Sequence, residues 1–165
     1  MEKIFHSQSE TQTFRCAEKL GSQLHPGNIV ALTGEIGSGK TVFIKGLSRG
    51  LSVKNQDDVK SPTFVLMHIY PARIPIYHFD FYRLERESEL DVIGFDEFVS
   101  DSKAVSLVEW ADRARGRIPK NAIWIRIEIT GMHSRRIVFA RQRSKDGRSN
   151  LKVSRLLRRP SASSQ

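Results

Sequence analysis

The residues best suited to chemistry lie in one eight-residue stretch, GEIGSGKT, from Gly34 to Thr41. It fits the pattern G-x-x-x-x-G-K-[ST]. Glycines at 34, 37 and 39 permit backbone conformations that turn successive N–H groups inward, and a helix beginning just after them adds the positive end of its dipole. The result is an anion cradle. Its expected lining is Ile36, Gly37, Ser38, Gly39, Lys40 and Thr41. Lys40 supplies a mobile charge for β and γ phosphates, and the Thr41 hydroxyl can coordinate Mg²⁺ shared with phosphate oxygens. Such a site also needs a carboxylate at the carboxyl end of a neighbouring strand, to hold Mg²⁺ directly or through water and to order an attacking water. Asp80, after the apolar run IYHF, and Glu109, closing AVSLV, both qualify, and which is the main metal-linked acid stays open. His78 shares the strand face of Asp80. It is read as packing or support rather than as a ligand, because Mg²⁺ prefers oxygen.

The elements that must position these groups follow from periodicity. NIVALTG reads as a buried strand entering the glycine-rich loop, and TVFIKGLSRGL as the helix leaving it. Upstream, Ser7 to Leu24 reads as one amphipathic helix opened by the Ser7/Glu10 pair of SQSE. Three β-rich runs follow, FVLMHIY, IYHFDFY and AVSLVEW, with a helix-compatible acidic stretch from Glu85 to Phe98 between the last two. AIWIRIEIT and RRIVFAR, turning at Gly131, read as an antiparallel hairpin. The predicted fold is therefore α/β: a three-layer P-loop NTPase domain with a mixed sheet and a C-terminal antiparallel hairpin.

With 165 residues, 39% of them hydrophobic, the chain suits one core and one domain, set at residues 1–141. No run reaches the length of a membrane span, no secretory signal opens the sequence, and the single cysteine, Cys16, allows no internal disulfide. A cytoplasmic protein with no membrane association is expected. The net charge of +9 is unevenly placed. From His133 onward ten Lys or Arg face one acid, Asp146, whereas residues 1–132 balance. Residues 142–165 read as a basic, disordered tail, able either to add salt-sensitive RNA affinity or merely to solubilise the chain.

Five ordered blocks, SQSET (Ser7 to Thr11), GEIGSGKT, SPTF (Ser61 to Phe64), HFDFYRL (His78 to Leu84) and VEW (Val108 to Trp110), resemble the TsaE (YjeE) family of bacterial tRNA threonylcarbamoyladenosine biosynthesis. The resemblance spans about residues 4 to 141. It implies an ATPase that works with ATP and Mg²⁺ beside TsaB and TsaD, where TsaD performs the threonylcarbamoyl transfer. It further implies Glu10 near the adenine and ribose, SPTF as a switch-like loop near the γ phosphate, Asp80 as a Walker B-like acid, and Glu109 as a metal-linked acid beside a mobile Trp110. On this basis Lys40, Asp80 and Glu109 are the candidate catalytic residues, Glu10 joins the nucleotide-binding set, and Thr41 and Glu109 are the candidate metal ligands. Phe64 departs from the tyrosine common after SPT, and Asp112 from a longer acid common in relatives. Two alternatives stand beside this reading: a small-molecule kinase presenting Asp80 and Arg83 to an acceptor hydroxyl, and an ATP-dependent binding switch with incidental turnover.

Overall fold

The computed structural model describes residues 2–141, so the basic stretch 142–165 lies outside the described residues. Among them, a seven-stranded sheet runs in the order β1-β7-β6-β2-β5-β4-β3. These strands are β1 (Lys3–Ser7), β2 (Ile29–Thr33), β3 (Met67–Tyr70), β4 (Ile76–Asp80), β5 (Val105–Glu109), β6 (Ile123–Ile129) and β7 (Arg135–Arg141). The central four, β6, β2, β5 and β4, are parallel, while β7, β1 and β3 pair antiparallel at the flanks. The mixed sheet and the terminal hairpin agree with the expected fold class.

Strand alternation creates two cores. Val30 and Leu32 of β2 join Leu107 of β5 and Ile125 of β6 beneath helices α1 (Glu10–Gly21) and α2 (Lys40–Gly50). Ile29 and Ala31 point the other way and pack with Phe79, Val108 and Trp124 against the short helices α3 (Glu89–Val92) and α4 (Phe95–Ser100). A central strand buried on both faces reads as a continuous apolar run, which is why IVALT lacks polar alternation. Helices α1 and α2 touch backbone to backbone. A Cβ at Gly46 would collide with the Phe14 carbonyl and sit 2.6 Å from the Ala17 Cβ. This close crossing brings the start of α1, with Glu10, beside the phosphate loop.

Three local expectations need correction. Ser7 belongs to β1, which pairs with β7, so α1 starts later, at Glu10. Its cap is Ser9, whose hydroxyl accepts from the Gln12 N–H at 3.2 Å, while the Gln12 side chain accepts from the Gln8 N–H. The capping pattern is thus Ser9-x-x-Gln12, two residues along from the Ser7/Glu10 reading. Of FVLMHIY only Met67–Tyr70 is strand, because the Val65 and Leu66 N–H groups turn back onto the Pro62 carbonyl. The stretch from Glu85 to Phe98 is not one helix but two short ones, broken at Gly94. Arg135, Arg136 and Arg141 lie in β7, as the hairpin reading of RRIVFAR expects. Seven of the ten basic residues counted from His133 therefore fall beyond Arg141.

Candidate nucleotide site

Side-chain parity along β4 and β5 sets the site. Ile76, His78 and Asp80 alternate onto the α2 face of β4, as Val105, Leu107 and Glu109 do on β5, and register places Asp80 directly beside Glu109. Both carboxylates are buried, 2% exposed, at the carboxyl ends of parallel strands, where β2 also delivers the chain into the phosphate loop. In that loop Gly37 and Gly39 adopt φ of +77° and +101°, values that a residue with a Cβ adopts only under strain. Gly39 caps α2 without any side-chain bond, so first-turn N–H groups of an eleven-residue helix face the loop's concavity.

Lys40 is 5% exposed. Its Nζ donates to the Gly34 and Glu35 carbonyls at 2.7 and 2.8 Å and lies 3.7 Å from the Trp110 ring centre. Burial lowers its pKa below the ordinary lysine value, against the opposing pull of Glu109, Asp80, Asp112 and Glu35. The Thr41 hydroxyl donates to Glu109 Oε2 at 3.3 Å. The other oxygen, Oε1, meets His78 Nε2 at 2.9 Å. His78 is fully buried and thus supports Glu109 from behind, as the oxygen preference of Mg²⁺ suggests it should. No cluster of three or more His, Cys, Asp or Glu side chains arranged for a metal occurs among the described residues. A cation here would instead rest on Thr41, Glu109 and phosphate oxygens, a hard-oxygen set that suits Mg²⁺.

Asp80 has a different environment. Its Oδ2 accepts from the Ser61 and Thr63 hydroxyls, the latter at 2.7 Å, and its Oδ1 from the Tyr82 N–H at 2.8 Å. It ties down the SPTF loop. Trp110 follows Glu109 in a left-handed conformation, φ +56°, with Tyr82 5.1 Å away, ring centre to ring centre.

All the predicted site residues, Glu10, Ile36, Gly37, Ser38, Gly39, Lys40, Thr41, Asp80 and Glu109, line one cleft of about 590 Å³. Ile36 stands at its mouth, 68% exposed. The sequence reading missed Thr13, one turn beyond Glu10, and the hairpin residues Met132, His133 and Arg135, which form another part of the wall. Thr13 was within reach of helical spacing from Glu10; the hairpin residues carry no local motif. Cys16 is buried away from this chemistry, its thiol pushed up to about 12 by desolvation, with Lys19 opposing weakly. Among the described residues no helix is long and apolar enough to cross a membrane.

A family model described as threonylcarbamoyl adenosine biosynthesis protein TsaE matches residues 7–137. The tRNA threonylcarbamoyladenosine biosynthesis protein TsaE of Treponema pallidum is 34% identical over 81% of this chain and 97% of its own length. Its namesake in Bacillus subtilis is 39% identical over 69% of this chain and 70% of its own, and that in Aquifex aeolicus 32% over 82% and 93%. A crystal structure of Bacillus subtilis YdiB superposes with a TM-score of 0.71 at 27% identity, covering 87% of each chain. The matched span contains the phosphate loop and both strand-end acids, and on these grounds the chain belongs to the TsaE family.

Proposed function

We propose that this chain is a Mg²⁺-dependent ATPase that supports formation of N6-threonylcarbamoyladenosine in tRNA, acting in the cytosol with TsaB- and TsaD-like proteins. The observation that carries the reading is the Thr41–Glu109 contact beneath a glycine loop capped by Lys40, with Asp80 at the adjacent strand end. The names of the relatives support the pathway. Mg²⁺, when bound, supplies positive charge to phosphate oxygens. Thr41 and Glu109 would hold it, and His78 keeps the Glu109 carboxylate turned toward Thr41. Loop N–H groups and Lys40 meet the charge that builds on the γ-phosphoryl oxygens as water attacks in line and ADP leaves. Asp80, through Ser61 and Thr63, holds the SPTF loop over the place where that water must be ordered. Glu10, Thr13, Met132 and His133 would receive the nucleoside end.

The test is ATP hydrolysis and ATP binding by the parent, Lys40→Ala and Glu109→Ala, with and without TsaB- and TsaD-like partners. Parental turnover in a folded Lys40→Ala chain would sink the proposal. A second reading, ATP as a conformational ligand, draws on one feature: the SPTF loop hangs on Asp80 and carries Phe64 83% exposed. Partner capture with ATP, ADP and a non-hydrolysable analogue separates the two, since a pure switch responds equally to ATP and the analogue.

A further inference from the structure

Arg135, the first residue of β7, directs its guanidinium wholly at carbonyl oxygens. Nε donates to Ser38 O at 2.9 Å and Nη2 to Gly37 O at 3.1 Å. Nη1 reaches the carbonyls of Ser134 at 2.9 Å, Gly131 at 3.1 Å and Met132 at 3.5 Å. Its neighbour Arg136, by contrast, pairs with the Glu128 carboxylate at 2.8 Å. The backbone of Arg135 is itself fixed on both sides, by Ile129 of β6 and by Ser7 of β1. A rigid fork thus leaves the sheet and grips the phosphate loop across 97 residues of sequence.

Peptide planarity turns that grip into an orientation. In a trans peptide the C=O and the following N–H point in opposite directions. Holding the Gly37 carbonyl fixes the Ser38 N–H, which turns back onto Glu35 O at 3.2 Å. Holding the Ser38 carbonyl fixes the Gly39 N–H, which must point away from Arg135 at the entrance of α2. Glycines at 37 and 39 make this segment the most easily rotated part of the loop, so an external restraint matters there.

We propose that Arg135 is a positioning residue that presets the loop for a nucleoside di- or triphosphate, fixing the Ser38 and Gly39 peptide units from outside through their carbonyls. The inference rests on the proposed polyphosphate role of the loop. A guanidinium suits the task because its donors are spread over three nitrogens in one fixed plane and can engage two adjacent carbonyls while bracing the hairpin turn; an ammonium carries all its donors on one rotatable nitrogen and cannot span both.

The experiment uses the full-length, nucleotide-free protein with Arg135→Lys, Arg135→Ala and Lys40→Ala. Calorimetry reads affinity for inorganic pyrophosphate and for ADP, and amide spectra read Ser38 and Gly39. Arg135→Lys should lose about tenfold or more in affinity for both probes alike, because the nucleoside end is untouched. The Gly39 amide signal should broaden or move before any ligand is added. Added methylguanidinium should restore part of the affinity of Arg135→Ala, and if that variant does not fold, Arg135→Lys decides alone. Parental affinity together with an unchanged Gly39 signal in Arg135→Lys overturns the clamp. If Lys40→Ala loses pyrophosphate binding in that case, the phosphate site stands and only the clamp fails; if Lys40→Ala also binds normally, the phosphate-site reading itself fails.

Discussion

Two loops face each other across the cleft, and they are held in opposite ways. The phosphate loop, residues 34–41, is gripped by its own lysine on the Gly34 and Glu35 carbonyls, by an internal Ser38–Glu35 bond and by Arg135 from the hairpin. The SPTF loop has one main anchor, the Asp80 carboxylate, through the hydroxyls of Ser61 and Thr63. Beyond that anchor, Phe64 lies 83% exposed, with the Arg83 guanidinium 4.4 Å from its ring centre. A charge-binding cradle gains from being built beforehand, since reorganisation would subtract from binding. A loop that must respond to its ligand gains from resting on a single releasable contact. The two acids divide along the same line: Glu109 contacts Thr41 of the cradle, and Asp80 holds the hydroxyls of the SPTF loop.

The largest expected effect breaks the cradle. Lys40→Ala should lower ATP turnover on the order of 10²–10³-fold, measured as kcat/KM, because the remaining N–H groups leave the developing charge under-compensated. Next, Glu109→Ala and Asp80→Ala should separate. Glu109→Ala should raise the Mg²⁺ concentration needed for turnover by about tenfold or more, whereas Asp80→Ala should lower turnover with little change in Mg²⁺ demand. Identical Mg²⁺ titrations for the two variants would erase the proposed division of labour.

A smaller effect comes from the latch alone. Ser61→Ala with Thr63→Ala removes two charge-assisted bonds, worth about 1.5–3 kcal/mol each at most, and should free the loop locally without unfolding the sheet. Faster proteolytic nicking near residue 64, with the cooperative melting temperature nearly unchanged, is the expected result. In a Trp124→Phe background the same variant should change Trp110 emission, since the Trp110 ring lies tilted against that of Tyr82, whose N–H shares the Asp80 anchor. Uniform loss of stability would show that both loops belong to one rigid unit.

The smallest effect concerns pH. Burial depresses the Lys40 pKa, so the folded chain gives up this proton before the unfolded chain does. Between the depressed value and the ordinary lysine value the unfolded state binds more protons, and this group's contribution to stability therefore rises with pH. At neutral pH the buried ammonium weighs against folding. Lys40→Met should then melt slightly above the parent at pH 7, with the margin shrinking toward pH 10; a margin constant across that range would refute the linkage.

Local patterns in the sequence determined a good deal. The glycine spacing and the flanking apolar runs specify the strand, loop and α2, because helix and strand periods are set within a few residues. Strand parity likewise put His78 and Asp80 on one face before any partner was known. The errors lie where a neighbour overrode local preference. Ser7 looked like a helix cap until β7 offered its backbone a ladder, and FVL looked like strand until the Pro62 carbonyl took the Val65 and Leu66 N–H groups. Tertiary structure alone decided that β4 lies beside β5, which sets Asp80 against Glu109, and that Thr41 meets a carboxylate 68 residues away. It alone set Arg135, at the start of the expected hairpin strand, against the phosphate loop. The reason is that strand order and register are chosen by burial summed over both faces of the sheet, a quantity that no short window of sequence contains.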